Sequence, residues 1–171
     1  PAIAVIAETV ALATILTLVR ATGVRVHLCR MSSADGVAMV RAAKAEGLPV
    51  TADVGIHHLH LCDVDIGWFD PLANFVPPLR ATRDRDALRA GVEDGTIDAI
   101  CSDHAPVDDD AKQVPFAEAD PGATGLELLL PLTLKWAAEA GVPLARALAR
   151  VTSLPAAILG VDAGTIAVGA P

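Results

Sequence analysis

Ile97-Asp98-Ala99-Ile100-Cys101 is a short apolar run typical of a buried strand, and Ser102-Asp103-His104-Ala105-Pro106 follows it directly. A carboxylate and an imidazole at the end of a buried strand are costly unless both have partners. In α/β barrels, catalytic side chains collect at the strand ends. Asp103 and His104 are therefore candidates for catalysis, although a pair that only caps a loop explains the pentapeptide equally well.

Helical and strand patterns alternate on both sides of this stretch. The predicted elements are a helix over 6–20, a strand over 24–31, a helix over 33–46, a strand over 49–55, a helix over 82–93, a strand over 97–102, and helices over 125–140, 143–151 and 155–159. Strands that alternate with helices predict an α/β fold with a parallel sheet and right-handed crossovers. Three strands are too few to close a barrel.

Length and composition limit the classes of protein. The 171 residues are enough for one domain with a sizeable core, and 53% of them are apolar. We expect a single, incomplete domain over 1–171, because the chain begins at Pro1 without a Met. The net charge of −8, with no basic cluster and few aromatic residues, argues against nucleic-acid binding. Three cysteines without metal-finger spacing indicate a reducing compartment, and we expect Cys29 and Cys101 to be buried and inert.

The first 19 residues carry a single charge, Glu8, and a stretch of that length could span a membrane. Three threonines interrupt it, Arg20 ends it, and it lacks the positively charged segment that begins a signal peptide. We therefore interpret it as a buried or half-buried helix and expect no membrane association.

His27 lies within the predicted strand 24–31, on the face that also carries Arg25 and Cys29. A lone strand histidine is most often a core residue with its hydrogen bonds satisfied. Asp103, two strands later, would lie at the same end of a parallel sheet. Imidazole and carboxylate both bind zinc-type metals, so His27 and Asp103 are candidate ligands. A catalytic zinc needs three protein ligands, and the others must come from elsewhere.

Two further polar clusters have simpler interpretations. His57-His58-Leu59-His60 could place two imidazoles at one metal, but nothing nearby completes a ligand set, so we interpret these histidines as loop or surface residues. Asp108-Asp109-Asp110 lacks the further oxygen ligands of a calcium loop, and we interpret it as a solvated acidic loop.

Four stretches together resemble a known family. They are His27-Leu28-Cys29-Arg30-Met31-Ser32-Ser33, Val76-Pro77-Pro78-Leu79-Arg80, Cys101-Ser102-Asp103-His104-Ala105-Pro106 and 112–131. In order and spacing along nearly the whole chain, they are similar to the C-terminal part of dihydroorotases of the longer bacterial type. Those enzymes belong to the metal-dependent amidohydrolase superfamily and are related to allantoinases and hydantoinases.

The resemblance implies a (β/α)8 TIM-type barrel, of which this chain supplies roughly the last three parallel strands and their flanking helices. It implies that His27 and Asp103 bind zinc, in a centre that is binuclear in the complete protein, and that Asp103 is general base and then general acid. The positions implied to contact substrate are Asn74, Pro77, Ala105 and Gly122. The implied activity is hydrolysis of dihydroorotate to N-carbamoyl-aspartate in de novo pyrimidine synthesis, by a cytoplasmic homo-oligomer.

This chain also departs from the family's pattern. The family's other metal ligands lie upstream of Pro1, so we expect no turnover from the 171 residues alone. Val76 stands where many members have a substrate-binding Asn, with Asn74 two residues away, and Val107 stands where many have a substrate-binding His. Two alternatives therefore stay open. One is a non-catalytic homologue that acts as a scaffold for aspartate carbamoyltransferase, and the other is an allantoinase or hydantoinase-like hydrolase.

Overall fold

Three parallel strands form one sheet in the computed structural model, which describes residues 3–170. The sheet order is β1 (Val26–Leu28), β2 (Val50–Gly55) and β3 (Ala99–Cys101), with β2 in the centre. The α-helices of the described part are α1 (Val5–Thr22), α2 (Ala34–Ala45), α3 (Thr82–Asp94), α4 (Leu129–Ala140), α5 (Leu144–Ala149) and α6 (Ser153–Leu159). Short 3-10 helices lie in the connections at Ile56–Leu59, Asp63–Ile66, Pro71–Ala73 and Asp109–Lys112. The predicted α/β fold with a parallel sheet is confirmed.

The pairing register decides which residues meet at the carboxyl ends of the strands. His27 of β1 lies opposite Thr51 of β2, and Gly55 of β2 lies opposite Cys101 of β3. Alternate residues of a strand project from the same face, so Thr51 and Asp53 share one face of β2. The central strand therefore stands between the two chain segments that carry the predicted metal ligands.

One buried cluster joins the sheet to its helices. Its members include Val37 of α2, Val54 of β2, Leu88 of α3, Ile100 of β3 and Trp136 of α4. β2 is buried along nearly its whole length, as expected for a parallel strand between layers of helix. This packing holds the carboxyl end of the sheet in place.

Both outer strands are shorter than predicted. β1 covers part of 24–31, and β3 covers part of 97–102. Arg30 and Asp103, just beyond these strands, have φ angles of 57° and 46°, which extended backbone does not adopt. The chain therefore turns out of the sheet at these two residues.

Helix α4 begins at Leu129 rather than at 125, where the sequence pattern places its start. The observed start puts Pro131 in the first turn, where a missing N–H has no helical partner to lose. A start at 125 would have put the proline ring in the helix interior, against the carbonyl four residues earlier. Ser33 is the N-cap of α2, because its hydroxyl accepts the Gly36 N–H at 3.0 Å.

Helix α1 buries only one face. Leu12, Leu16 and Val19 are buried, whereas Ile6 and Val10 are exposed. The interpretation as a buried or half-buried helix therefore holds for that face alone. Within residues 3–170, α1 is the one helix whose length and apolar composition would allow it to cross a membrane.

A carboxylate attaches α1 to the sheet. Glu8, the only charge in the first 19 residues, accepts the main-chain N–H of Ser32 at 3.2 Å and also the Ser32 hydroxyl. Nε of Arg80 donates to the same hydroxyl at 3.3 Å. The charge within the apolar helix thus has buried polar partners beside β1.

Candidate functional site

His27 is held by two hydrogen bonds to the central strand. Its Nδ1 lies 2.8 Å from Oγ1 of Thr51, and its Nε2 lies 2.9 Å from Oδ2 of Asp53. The side chain remains 25% exposed. Both ring nitrogens therefore have partners, as expected of a core histidine, while part of the side chain stays accessible.

Asp53 is a site residue that the sequence-based predictions do not include. Its Oδ1 accepts the main-chain N–H of Arg30 at 2.6 Å, and the thiol of Cys101 donates to the same oxygen at 3.5 Å. This carboxylate thus contacts the chain segments at the ends of all three strands. The signal that could have found it is its two-residue spacing from Thr51 within a predicted strand.

Asp103 lies at the end of β3, as predicted, and its side chain is 14% exposed. Its Oδ1 is 3.5 Å from Nη1 of Arg30. The close approach of Asp103 to β2 is made easier by a glycine there. A Cβ on Gly55 would lie 3.2 Å from both Cβ and Oδ2 of Asp103, and 3.4 Å from Nδ1 of His58. Gly55 therefore allows the carboxylate and the imidazole to pack over the end of the central strand.

Left-handed backbone occurs at both members of this ion pair. Arg30, Phe69 and Asp103 are the non-glycine residues with positive φ in the described part of the chain. Such a conformation costs about 1–3 kcal/mol per residue and persists only where the surrounding structure imposes it. Unusual backbone of this kind clusters at functional sites, which supports the assignment of this end of the sheet as the candidate site.

His57 and His58 do lie in the connection after β2, but the interpretation of them as surface residues is wrong. They lie in the 3-10 helix after β2 and are only 5% and 3% exposed. Nε2 of His58 donates to the carbonyl of Pro77 at 3.0 Å. Nε2 of His57 is buried and has no hydrogen-bond partner among residues 3–170. Phe75 packs against both rings, which the local sequence pattern does not predict.

Burial also shifts the pKa of these imidazoles. It lowers the pKa of both His57 and His58, and the negative charge of Asp103 opposes the shift in each. The end of β2 therefore carries two imidazoles whose neutral forms burial favours. Neutral imidazole is the form that binds a metal or accepts a proton.

His104 has a structural role in the loop. Its Nδ1 accepts the main-chain N–H groups of Gly125 and Leu126 at 3.1 and 3.3 Å. The loop-cap interpretation therefore applies to His104, whereas Asp103 faces Arg30 and the end of β2. The Asp108-Asp109-Asp110 run is exposed, as predicted for a solvated acidic loop.

Three of the four residues implied to contact substrate lie in loops that are joined by hydrogen bonds or close contact. The side-chain amide of Asn74 donates to the carbonyls of Phe116 and Ala119 at 3.3 and 2.8 Å, and its main-chain carbonyl accepts the Gly122 N–H at 2.9 Å. A Cβ on Gly122 would lie 2.5 Å from the Ala105 carbonyl, so these two loops meet where only glycine fits. The structure thus brings Asn74, Ala105 and Gly122 together, and their contact with substrate stays a prediction.

A groove of about 520 Å³ opens beside the end of β1. His27, Cys29, Arg30, Val76 and Pro77 are among its lining residues. The structure therefore places His27 and Pro77 on the same groove, and Asp103 is not one of its lining residues.

The donors around His27 suit a metal ion. His27, Cys29 and Asp53 each offer one ligand atom, and within residues 3–170 these atoms form a group in which all lie within 4.8 Å of one another. Imidazole, thiolate and carboxylate are all zinc ligands, so the chemistry of this set fits zinc. Asp103, the other predicted ligand, is outside the group and pairs with Arg30.

Two predictions about cysteines need correction. Cys29 is exposed rather than buried, because β1 is an edge strand of the described sheet, and Cys101 is only half-buried. Burial, together with the charges of Asp53 and Asp103, raises the pKa of Cys101 and favours its protonated thiol. Partial burial and the Asp53 charge also raise the pKa of Cys29.

The sequence of this chain is similar to those of known proteins. Residues 6–171 match the amidohydrolase family. A dihydroorotase-like protein from Pseudomonas putida is 46% identical over 169 residues, which are 99% of this chain and 40% of that protein. A dihydroorotase from Geobacter sp. strain M21 is 42% identical over 164 residues, which are 96% of this chain and 39% of that protein. The chain thus spans about 40% of the length of these relatives.

Solved structures share the fold. An L-hydantoinase (dihydropyrimidinase) from Arthrobacter aurescens aligns with a TM-score of 0.88 at 29% identity, over 98% of this chain and 38% of that one. A dihydroorotase from Saccharomyces cerevisiae in complex with 5-fluoroorotic acid aligns with a TM-score of 0.80 at 18% identity, over 90% of this chain and 43% of that one. The second likeness concerns the fold alone. These neighbours are TIM-type barrels, which confirms that the chain corresponds to part of such a barrel.

Proposed function

Because this chain belongs to the amidohydrolase family, we propose that it is the C-terminal barrel portion of a dihydroorotase-like enzyme. In the proposed reaction, water adds to the ring carbonyl carbon of dihydroorotate and the ring C–N bond breaks. The freed nitrogen takes a proton, and the product is N-carbamoyl-aspartate, an intermediate of pyrimidine synthesis. The observation that carries the proposal is Asp103, a carboxylate only 14% exposed at a strand end beside two buried imidazoles.

Asp103 is the proton-transfer group of this proposal. Its carboxylate takes a proton from the attacking water and returns it to the departing ring nitrogen. The position at a strand end suits this role, because the carboxyl ends of barrel strands face the substrate. Gly55 supports it by leaving room for the carboxylate over β2.

His27, Cys29 and Asp53 are the residues of this chain that would hold a zinc ion, with further ligands from the rest of the parent protein. When bound, the metal supplies polarisation of the ring carbonyl and a lower pKa for the attacking water. The resemblance also implies Asp103 as a ligand in a binuclear centre. An ion at Asp103 would share that carboxylate with Arg30.

The loop network supplies one wall of the proposed substrate site. The amide of Asn74 is engaged with two loop carbonyls, and Pro77, Ala105 and Gly122 have no polar side chain. We therefore propose that these four residues shape the wall, and that polar recognition comes mainly from the remainder of the parent. A cytoplasmic location and a homo-oligomeric state are proposed from the resemblance alone.

Turnover by the full-length parent tests this proposal. Ring opening is measured with dihydroorotate, allantoin and hydantoin, because a hydantoinase is among the structural neighbours. We expect dihydroorotate to be hydrolysed, and Asp103→Asn to lower kcat by about 10²- to 10⁴-fold. Asp109→Asn, which removes the same charge from an exposed position, is the control and leaves kcat unchanged. A folded parent that opens none of the three rings contradicts the enzyme proposal.

A non-catalytic scaffold for aspartate carbamoyltransferase is the second candidate. It is favoured by Val76, an apolar residue that lines the groove where the resemblance implies a substrate-binding Asn, and by the pairing of Asp103 with Arg30. Co-purification of the full-length parent with the carbamoyltransferase tests it. Stable association without ring opening supports the scaffold, and absence of association counts against it.

A further inference from the structure

Arg30 and Asp103 form an ion pair across the candidate site. Arg30 follows β1 and Asp103 follows β3, so the pair reaches past the end of the central strand. Nη1 of Arg30 lies 3.5 Å from Oδ1 of Asp103 and donates to the Val76 carbonyl at 3.3 Å. The guanidinium is therefore positioned by a second contact and does not depend on the carboxylate alone.

The main chain of Arg30 is also held in place. Its N–H donates to Oδ1 of Asp53 at 2.6 Å, and its φ of 57° differs from that of an extended strand. Asp103 shares the left-handed conformation. Arg30 thus contacts two carboxylates, one through its backbone and one through its side chain, and tertiary structure imposes the conformation in which it does so.

A guanidinium at this position competes with a metal ion. Arginine stays protonated in proteins, so it presents a permanent positive charge to Asp103. The carboxylate is 14% exposed and the guanidinium is 49% exposed, so solvent screens the pair only in part. A divalent cation at Asp103 would have to displace Arg30 or accept a like charge beside it.

We propose that Arg30 supplies at Asp103 the positive charge that one metal ion of a binuclear centre would supply. The parent protein therefore needs one divalent ion at this site where a binuclear centre needs two. That ion is held by the residues around His27 and Asp53. Arg30 orients and neutralises Asp103 as a positioning residue. This inference does not depend on the proposed hydrolysis, because its test measures zinc and not turnover.

Zinc binding to the full-length parent tests this assignment. Metal-free protein is titrated with Zn²⁺, and bound zinc per protomer is measured by elemental analysis. The variants are Arg30→Gln, Asp103→Asn and their combination. Arg41→Gln is the matched control, because it removes the same charge from an exposed ion pair with Asp94, remote from the site.

We expect at most one zinc ion per protomer in the wild type, with an affinity that Asp103→Asn changes by less than about twofold. The Arg30→Gln variant should either bind an additional zinc ion or bind zinc with an affinity higher by about tenfold or more. Adding Asp103→Asn to that variant should remove the gain. Arg41→Gln should behave as the wild type.

Three results would overturn the inference. They are two tightly bound zinc ions in the wild type, loss of zinc on Asp103→Asn alone, or an Arg30→Gln variant with wild-type zinc binding. If Arg30→Gln does not fold, Arg30→Lys keeps the charge without the guanidinium, and the Asp103→Asn comparison still decides. Turnover is measured separately, so an inactive parent contradicts the proposed function without affecting this result.

Discussion

Nε2 of His27 lies 2.9 Å from Oδ2 of Asp53, so the predicted metal ligand of β1 is bound to a carboxylate of the central strand. His27 and Asp103 lie at the same end of the parallel sheet, as predicted, but each pairs with a different residue. His27 contacts Asp53, and Arg30 contacts Asp103. The candidate site therefore has a carboxylate–imidazole half beside β1 and a carboxylate–guanidinium half beside β3. Substitutions at Asp53 and at Asp103 can therefore test the two halves separately.

Replacing Asp53 with Ala should destabilise the protein. The change removes the acceptor for the Arg30 N–H, at 2.6 Å, and for the His27 ring. Loss of a buried acceptor that leaves donors unpaired costs about 1–3 kcal/mol. Urea unfolding of the full-length parent measures the loss, and Asp53→Asn, which retains an acceptor oxygen, should lose less. Equal stability of Asp53→Ala and wild type would contradict the central role of this carboxylate.

Gly55→Ala should disturb the site more than the fold. The added Cβ would lie 3.2 Å from Cβ and Oδ2 of Asp103, so the carboxylate must move by a few tenths of an ångström. We expect kcat of an active parent to fall by about tenfold or more, because small displacements of catalytic groups are costly. Gly91→Ala is the control, since its Cβ would meet Val37 and Ile97 at similar distances away from the site. A wild-type kcat in Gly55→Ala would show that Asp103 need not be held so closely.

Stability should fall as the pH is lowered from about 7 to 5. Burial lowers the pKa of His58 and His60 in the folded protein, so the unfolded chain binds more protons on acidification. Their contribution to the free energy of unfolding is complete above the unfolded pKa of about 6.5 and is lost as the pH falls toward the folded pKa. Thermal melts of wild type and His58→Gln measure this, and the variant should show the smaller pH dependence. Parallel pH curves for the two proteins would argue against this assignment.

Glu8→Ala should loosen α1. Glu8 accepts both the main-chain N–H and the hydroxyl of Ser32, and Ser32 is fully buried. We expect a loss of about 1–3 kcal/mol, because two buried donors lose their partner. Thermal or urea unfolding of the full-length parent provides the measurement. Glu46→Ala, which removes an exposed ion pair with Arg20, should change stability little and is the control. If both variants unfold alike, Glu8 is not the attachment point of the helix.

Much of the fold follows from local patterns. The apolar runs that became β2 and β3 are recognisable because residues buried between layers must be apolar, and Ser33 is recognisable as a cap because its hydroxyl can satisfy a free helix N–H. Strand ends are less predictable. Arg30 and Asp103 leave the sheet through left-handed backbone, which neither residue type requires.

The site was only partly predictable for a related reason. Asp103 stands out because a carboxylate follows an apolar strand. In the sequence, nothing distinguishes His57 and His58 from surface residues, because the Phe75 ring that packs against them lies far along the chain. Asp53 shares a strand face with Thr51, which does not by itself mark it as a site residue. It becomes a site residue because parallel pairing with β1 sets it beside His27.

The amino-acid order alone was enough for the alternation of strands and helices, the amidohydrolase resemblance and the candidacy of Asp103. Those features depend on short-range conformational preference, on burial periodicity and on motif spacing, all of which can be read along the chain. The partners of His27 and Asp103 were decided only by tertiary structure. They depend on the register of three strands and on two left-handed turns, which bring together groups that are far apart in the sequence.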